Sequence, residues 1–296
     1  MTHDKLTLIR RAALCVGVGA ALVLFSSFGA ARHASSAAAS EAPVASAELA
    51  VPSAAPVASA APSPSPSAIP DPKGLPLDRQ AALSSAIRAN GDAVAWLVIP
   101  GAGVDSAVMQ GADNAQYLQL DELGNYSEWG CYYADCRDVF SARDKLVDNT
   151  VIFGHSQSDC DAVNGLRFTT LHRYTDAEYV QANPYIYLSI PGADMVFEIA
   201  AVFFTDVDFD YINPSPSALG GTAYYDEIAR ANWLSGASAA LSPEDVLLTL
   251  STCCRKYDVN NTGNHRLVVV ARLLPADSAP PPYSVTQADA PLMPAE

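Results

Sequence analysis

Positive charge is scarce in this chain of 296 residues. Its 17 Lys and Arg stand against 32 Asp and Glu, a formal net charge of −15. A protein that grips nucleic acid must neutralise phosphates with basic side chains, so no nucleic-acid partner is expected. Cysteine is sparse too: six residues, irregularly spaced, are too few for a disulfide-stapled scaffold. The chain carries no glycine-rich phosphate loop, no dinucleotide fingerprint and no internal repeat. His155, His172, His265 and the cysteines lack the short paired spacing of a zinc site, so neither metal nor cofactor is expected. Proline is nearly missing from one stretch. Of 21 prolines, nine lie between Pro43 and Pro76 and six from Pro275 onward, which leaves six for residues 77–274. That stretch reads as one compact domain, long enough to bury a core.

What precedes it has two parts. Lys5, Arg10 and Arg11 stand before Ala12–Ala31, twenty residues without a charge. As a helix at about 1.5 Å per residue this segment spans roughly 30 Å, the hydrocarbon thickness of a bilayer. The basic cluster predicts residues 1–11 on the cytoplasmic side and everything after residue 31 outside. A cleaved signal peptide, processed near Gly29–Ala31, is the other reading; the length of the run favours a retained single-pass anchor. From His33 to Pro70 there are 14 Ala, 9 Ser and 7 Pro and no aromatic residue. Such a segment cannot bury enough apolar surface to offset its ordering entropy, so residues 32–76 are expected to form a disordered tether. In extended form it reaches on the order of 100 Å. The proline-rich tail, 275–296, is expected to be disordered as well.

Within 77–274, Asp78–Asn90 reads as a helix capped by Asp78 and stopped by Gly91. Eight short runs rich in Val, Ile, Tyr and Phe follow, separated by Gly, Pro, Asn and Asp. They are Ala95–Ile99, Ala107–Gln110, Gly130–Ala134, Thr150–Phe153, Tyr185–Ile190, Val196–Thr205, Val246–Thr252 and Leu267–Leu274. Shorter helices fit Asn114–Leu120, Thr170–Ala182 and Tyr224–Leu234. A mainly β fold, an eight-stranded closed or nearly closed barrel, is the expected architecture.

Three strand ends carry chemistry. His155 follows the run ending at Phe153, Cys253 closes the run that begins at Val246, and Arg266 opens the run Leu267–Leu274. A thiol becomes a nucleophile only as the thiolate, and a histidine can take its proton and return it to a leaving amine. An arginine stays charged at any working pH and steadies the oxyanion formed when a peptide carbonyl is attacked. Taken singly, each has a bland reading: a small core cysteine, a hydrogen-bonding histidine, a surface arginine. Their spacings of 98 and 13 residues do not decide the matter.

Thr249-Leu-Ser-Thr-Cys253, Val151-Ile-Phe-Gly-His-Ser156 and the Arg266–Leu273 strand resemble the three active-site segments of sortases, in the same chain order. Trp96–Gly101, Val108–Asn114, Tyr117-Leu118, Gly130–Asp135, Asn183–Tyr187 and Asp210–Ile212 resemble class B sortases in particular. The resemblance spans roughly residues 78–274. It implies a membrane-anchored cysteine transpeptidase of a Gram-positive cell surface. Such enzymes cleave a C-terminal sorting motif of secreted proteins and hold the acyl group as a thioester. They pass it to an amine of peptidoglycan or its lipid-linked precursor, or to a pilin lysine. It implies Cys253 as nucleophile, His155 as general acid and base, and Arg266 as the oxyanion group. It also implies substrate contacts at Asn114, Leu118, Tyr211, Ile212 and Ser251. For Leu118 and Ile212 core packing is the alternative, and for Asn114 a helix cap. A surface peptidase that uses water, and a non-catalytic binding barrel, remain the competing functions.

Some residues depart from the family pattern. Cys254 directly follows the nucleophile; strand alternation should turn it away from Cys253. His265 is expected on the strand face opposite Arg266. Asp206, Asp208 and Asp210 read as a solvated loop. Cys131, Cys136 and Cys160 lie in a compartment where disulfides persist, and a pair among them is conceivable.

Overall fold

The computed structural model describes residues 78–158, 165–258, 260–276 and 282–294. The segments expected to form a cytoplasmic end, an anchor (Ala12–Ala31) and a tether, and also Cys160, lie outside the described residues. Among the described residues no helix is long and apolar enough to cross a membrane.

The first helix, α1 (Arg79–Ala89), starts where Asp78 accepts the amide of Ala81 at 3.1 Å and ends at Asn90. Strands β1 (Ala93–Ile99), β2 (Val104–Met109), β3 (Tyr132–Ala134) and β4 (Asn149–Phe153) follow. After a 3₁₀ segment, Phe168–Thr175, come α2 (Ala177–Ala182), β5 (Tyr185–Ile190), β6 (Ala193–Thr205) and α3 (Ala223–Ala231). The chain continues through β7 (Leu234–Ser235), β8 (Leu247–Cys253), β9 (Arg266–Leu273) and β10 (Thr286–Gln287). Eight of these strands close a barrel in the order β1-β2-β3-β4-β8-β9-β6-β5, the architecture expected from the eight apolar runs.

The wall that matters for function is β4-β8-β9. Strands β4 and β8 run parallel with Val151 opposite Thr249 and Phe153 opposite Ser251. Strands β8 and β9 run antiparallel with Cys253 opposite Arg266. Alternation sorts this wall's side chains. Leu248, Leu250, Cys254, Leu267 and Val269 point into the barrel core with Leu97, Ile152 and Phe197. Leu247, Val268 and Val270 point outward into a second core beneath α3, with Phe203, Tyr211, Tyr224 and Ile228. Both faces of the wall are therefore buried, which is why β9 reads as an unbroken apolar run rather than an alternating one.

Three expectations need correction. Asn114–Leu120 is not a helix: only Gln116–Leu118 forms a 3₁₀ turn, because Asp113 accepts the amides of Ala115 and Gln116 and folds the chain locally. Thr170–Ala182 is two pieces, broken where extended Asp176 caps α2 by accepting the amide of Glu178. The tail beyond residue 282 is packed, not disordered. Tyr283 donates its hydroxyl to the carbonyl of Ile199 at 2.8 Å, Val285 is buried, and β10 pairs with β7. Two apolar anchors and a short strand outweigh the ordering entropy, which prolines lower in advance.

Candidate active site

Strand ladders place the three candidate residues. Arg266 and Cys253 are register partners at the open end of the β8–β9 pair. His155 lies two residues beyond Phe153, whose partner Ser251 lies two residues before Cys253. The parallel contact continues past the end of β4: the amide of Gly154 donates to the carbonyl of Ser251 at 3.2 Å. Thr252 donates its hydroxyl to the carbonyl of Gly154 at 2.7 Å. Neighbouring strands lie about 4.8 Å apart, so His155, Cys253 and Arg266 come from three adjacent positions in one row. All three side chains are half-buried. Gly154 permits this turn: a β-carbon there would lie 2.7 Å from the ring of Phe168.

His155 is held on two sides. Its Nε2 lies 2.8 Å from the carbonyl oxygen of Leu118, and the ring meets Trp129 edge-on at 6.1 Å. A carbonyl only accepts, so Nε2 carries the proton and Nδ1 is the basic nitrogen of the neutral ring. Arg266 is held by its own loop, its Nη1 donating to the carbonyls of Gly263 and His265 at 2.7 and 2.9 Å. That loop is organised by Asp258, which accepts the amides of Thr262 and Gly263. His265 is buried with Nδ1 3.7 Å from Asp258, away from Arg266 as alternation requires.

The cysteines separate by environment. Cys131, Cys136 and Cys253 are free thiols. Burial pushes the Cys131 thiol up to about 12, and Cys254 packs into the barrel core. Cys136 is exposed and also raised, by desolvation first and then by Asp135. Cys253 has the position next to a histidine and an arginine.

The five expected substrate contacts divide. Tyr211 is buried and shares a 2.9 Å hydrogen bond between its hydroxyl and that of Ser251, itself buried on the outer face two residues before Cys253. Burial raises the pKa of the Tyr211 hydroxyl, with the Ser251 hydrogen bond and the Arg266 charge acting against it. Leu118 is 38% exposed, so it is no core residue, and its carbonyl meets His155. Ile212 packs partly against the core under α3, and its carbonyl accepts from Arg137 at 2.8 Å. Asn114 is not a helix cap. It donates to Asp135 at 2.9 Å and accepts the amide of Cys136 at 2.8 Å.

Sequence reasoning missed the residues that join these walls. Asp135 takes Asn114 on one side and a bidentate Arg137 on the other, and Arg137 reaches on to Ile212. Burial pushes the Asp135 carboxyl up, but the hydrogen bonds from Arg137 and Asn114 outweigh it and hold it below its ordinary range. Asn149, fully buried, donates to the carbonyls of Tyr211 and Asn213 and accepts from Thr249. Apart from Asp135 and Arg137, which are neighbours, these polar partners lie more than twenty residues apart, and no local pattern announces them. Among the described residues no group of three or more His, Cys, Asp or Glu is placed to hold a metal ion.

Comparison with known proteins shows the family and the fold. Residues 97–274 match the family model described as Sortase domain. The chain is 28% identical over 186 residues to Sortase B of Listeria monocytogenes, covering 62% of this chain and 71% of that protein. It is 24% identical over 186 residues to Sortase B of Staphylococcus aureus, with the same coverage. Among solved structures, a Staphylococcus aureus sortase B–substrate complex superposes with a TM-score of 0.57 at 22% identity, covering 67% of this chain and 87% of that one. Clostridium perfringens sortase B superposes with a TM-score of 0.55 at 24% identity, covering 65% of this chain and 99% of that one.

Proposed function

The chain belongs to the sortase family and is a class B sortase, a cysteine transpeptidase, and on that premise we propose how its own residues divide the work. Cys253 is the nucleophile. Its thiol proton passes to Nδ1 of His155, and the sulfur attacks the scissile carbonyl carbon of a sorting peptide. Arg266 faces the oxygen that becomes negative and stabilises it. As the tetrahedral adduct collapses, the peptide nitrogen leaves with the proton from His155 and a thioester remains on Cys253. An acceptor amine then gives a proton to the neutral imidazole and attacks the thioester carbon. Cys253 departs as thiolate and is reprotonated by His155. Leu118, Tyr211, Ile212, Ser251 and Asn114 shape the groove in which the peptide lies.

The observation that carries this reading is the strand register. It sets Cys253 beside Arg266 and, through Gly154, beside His155. Solved sortase B structures include a substrate complex and a complex with triglycine, which supports a peptide donor and an amine acceptor here. The donor is a C-terminal sorting motif of a secreted protein, and the acceptor is an amine of the cell wall or a pilin lysine. Ala12–Ala31 anchors the chain in the cell membrane with residues 1–11 inside, and the tether holds the catalytic domain outside.

A peptide library incubated with the protein, with and without triglycine, and read by mass spectrometry tests the reaction. Cleavage with transfer to the amine supports it. Cleavage with hydrolysis alone assigns water as acceptor, and no adduct on Cys253 with any peptide ends the assignment. Fractionation of expressing cells tests the anchor: recovery of the uncleaved chain in the soluble medium would overturn it.

A further inference from the structure

Arg167 occupies a backbone conformation that its side chain does not favour, with φ of 54° and ψ of −130°. A non-glycine residue stays there only when its surroundings hold it. The surroundings are the two loops that meet at His155. Arg167 forms an isolated antiparallel bridge with Ser156, and the amide of Phe168 donates to the carbonyl of His155 at 2.8 Å. Its guanidinium crosses to the β2–β3 loop. There Nε donates to the carbonyl of Trp129 at 3.3 Å, Nη2 to the carbonyl of Gly130, and Nη1 to Glu122 at 2.6 Å. The cation also lies over the ring of Tyr132, 5.4 Å from its centroid.

The loop it grips ends on His155. Trp129 is the ring that meets the imidazole edge-on. Gly130 has φ of +48°, and a β-carbon there would lie 2.6 Å from the carbonyl oxygen of Leu118. That oxygen is the acceptor for Nε2 of His155. The guanidinium thus holds the carbonyl of Gly130, whose α-carbon packs close against the Leu118 carbonyl that meets the imidazole.

We propose that Arg167 is a positioning residue for His155. Its grip on Trp129 and Gly130 fixes the Leu118 carbonyl, keeps the proton on Nε2, and leaves Nδ1 basic toward the thiol. The assignment rests on His155 being the acid–base group. Three properties suit arginine to this. The guanidinium stays charged at any working pH, its fork satisfies two carbonyls and a carboxylate at once, and its flat face stacks on Tyr132. Lysine, with a single ammonium centre, reproduces the charge but not the fork.

The test uses full-length protein labelled with ¹⁵N-histidine, the His155 signals being identified by their loss in His155→Gln. In the unaltered protein the neutral ring is the Nε2–H tautomer. In Arg167→Met the ring becomes a mixture of tautomers. The rate constant for thioester formation falls about tenfold or more, as small misplacements of a catalytic group do, and its pH profile shifts. Arg167→Lys recovers part of that loss. Glu122→Gln, which keeps the arginine and only loosens it, moves the same readouts in the same direction by less. A folded Arg167→Met with the original tautomer, rate and pH profile overturns the proposal. If that variant does not fold, an unchanged tautomer and pH profile in Glu122→Gln overturns it. His155→Ala tests the underlying assignment separately: full activity there refutes the catalytic role of His155, whereas the tautomer still reports on Arg167.

Discussion

Cys253 and Arg266 are partners across the last rung of an antiparallel ladder, the sulfur on one strand and the guanidinium stem on the next. Their relationship is fixed by backbone hydrogen bonding and not by a flexible loop. The guanidinium is steadied further by the carbonyls of Gly263 and His265. A charge held in place before the reaction costs no reorganisation when the oxyanion forms.

Arg266→Lys therefore keeps the charge and loses the fork that locates it. The second-order rate of thioester formation with a cleavable peptide falls about 10²-fold or more. Alkylation of Cys253 by a small thiol reagent still proceeds, since the sulfur is untouched. Stopped-time mass spectrometry of the acyl-enzyme measures the first, and intact-mass labelling the second.

Tyr211 and Ser251 satisfy each other in a buried setting. Tyr211→Phe leaves the Ser251 hydroxyl without that partner and lowers stability by about 1–2 kcal/mol. Ser251→Ala does the same from the other side. The double variant loses less than the sum, because two unpaired groups are removed together. Urea unfolding of the four proteins completes the cycle.

Asp138 gives the fold a pH dependence of unusual sign. It accepts the amide of Val151 at 2.9 Å, yet burial, with Asp135 as a smaller contributor, pushes its carboxyl from 3.8 up to about 8. The folded state then holds a proton that the unfolded chain releases, so the stabilisation is complete below about pH 4. It is lost as pH rises through about 8. Asp138→Asn, which keeps the acceptor and cannot ionise, flattens this decline. Its melting temperature exceeds that of the unaltered protein at pH 8.5 by about 2 °C or more, and the gap narrows by pH 5. Scanning calorimetry across that range checks it.

The tail makes a further expectation. Val285→Ala lowers stability by about 1–3 kcal/mol, the worth of a buried valine side chain. A chain ended after residue 276 loses more, since Tyr283 and the β10 pairing go as well. If the truncated chain melts at the same temperature as the full one, the packing of this segment is without consequence.

What could be read in advance follows from the range of the interactions involved. The β4, β8 and β9 strands are buried on both faces, β9 reads as a continuous apolar run over Leu267–Val270 and the other two as short apolar runs, and Cys253, His155 and Arg266 fall at their ends. The site's braces are different. Arg137, paired with its neighbour Asp135, reaches Ile212, and Asn149 reaches Tyr211 and Asn213, each by a single hydrogen bond between distant segments. Each such residue has an ordinary local sequence. Asn114 looked like a cap because caps are local, whereas its partners Asp135 and Cys136 lie on another loop. The tail misled for the opposite reason: its prolines suggested disorder, and its anchors Tyr283 and Val285 are only two residues.

The wall that ends at Cys253 is packed on both its faces, one by the barrel interior and the other by α3. Amide protons of Val268, Val269 and Val270 should consequently exchange with deuterium only when the whole domain opens, far behind those of the Glu122–Trp129 loop. The sulfur is thus rooted in the last part of the molecule to let go, while the surfaces that would greet a peptide breathe on a faster clock.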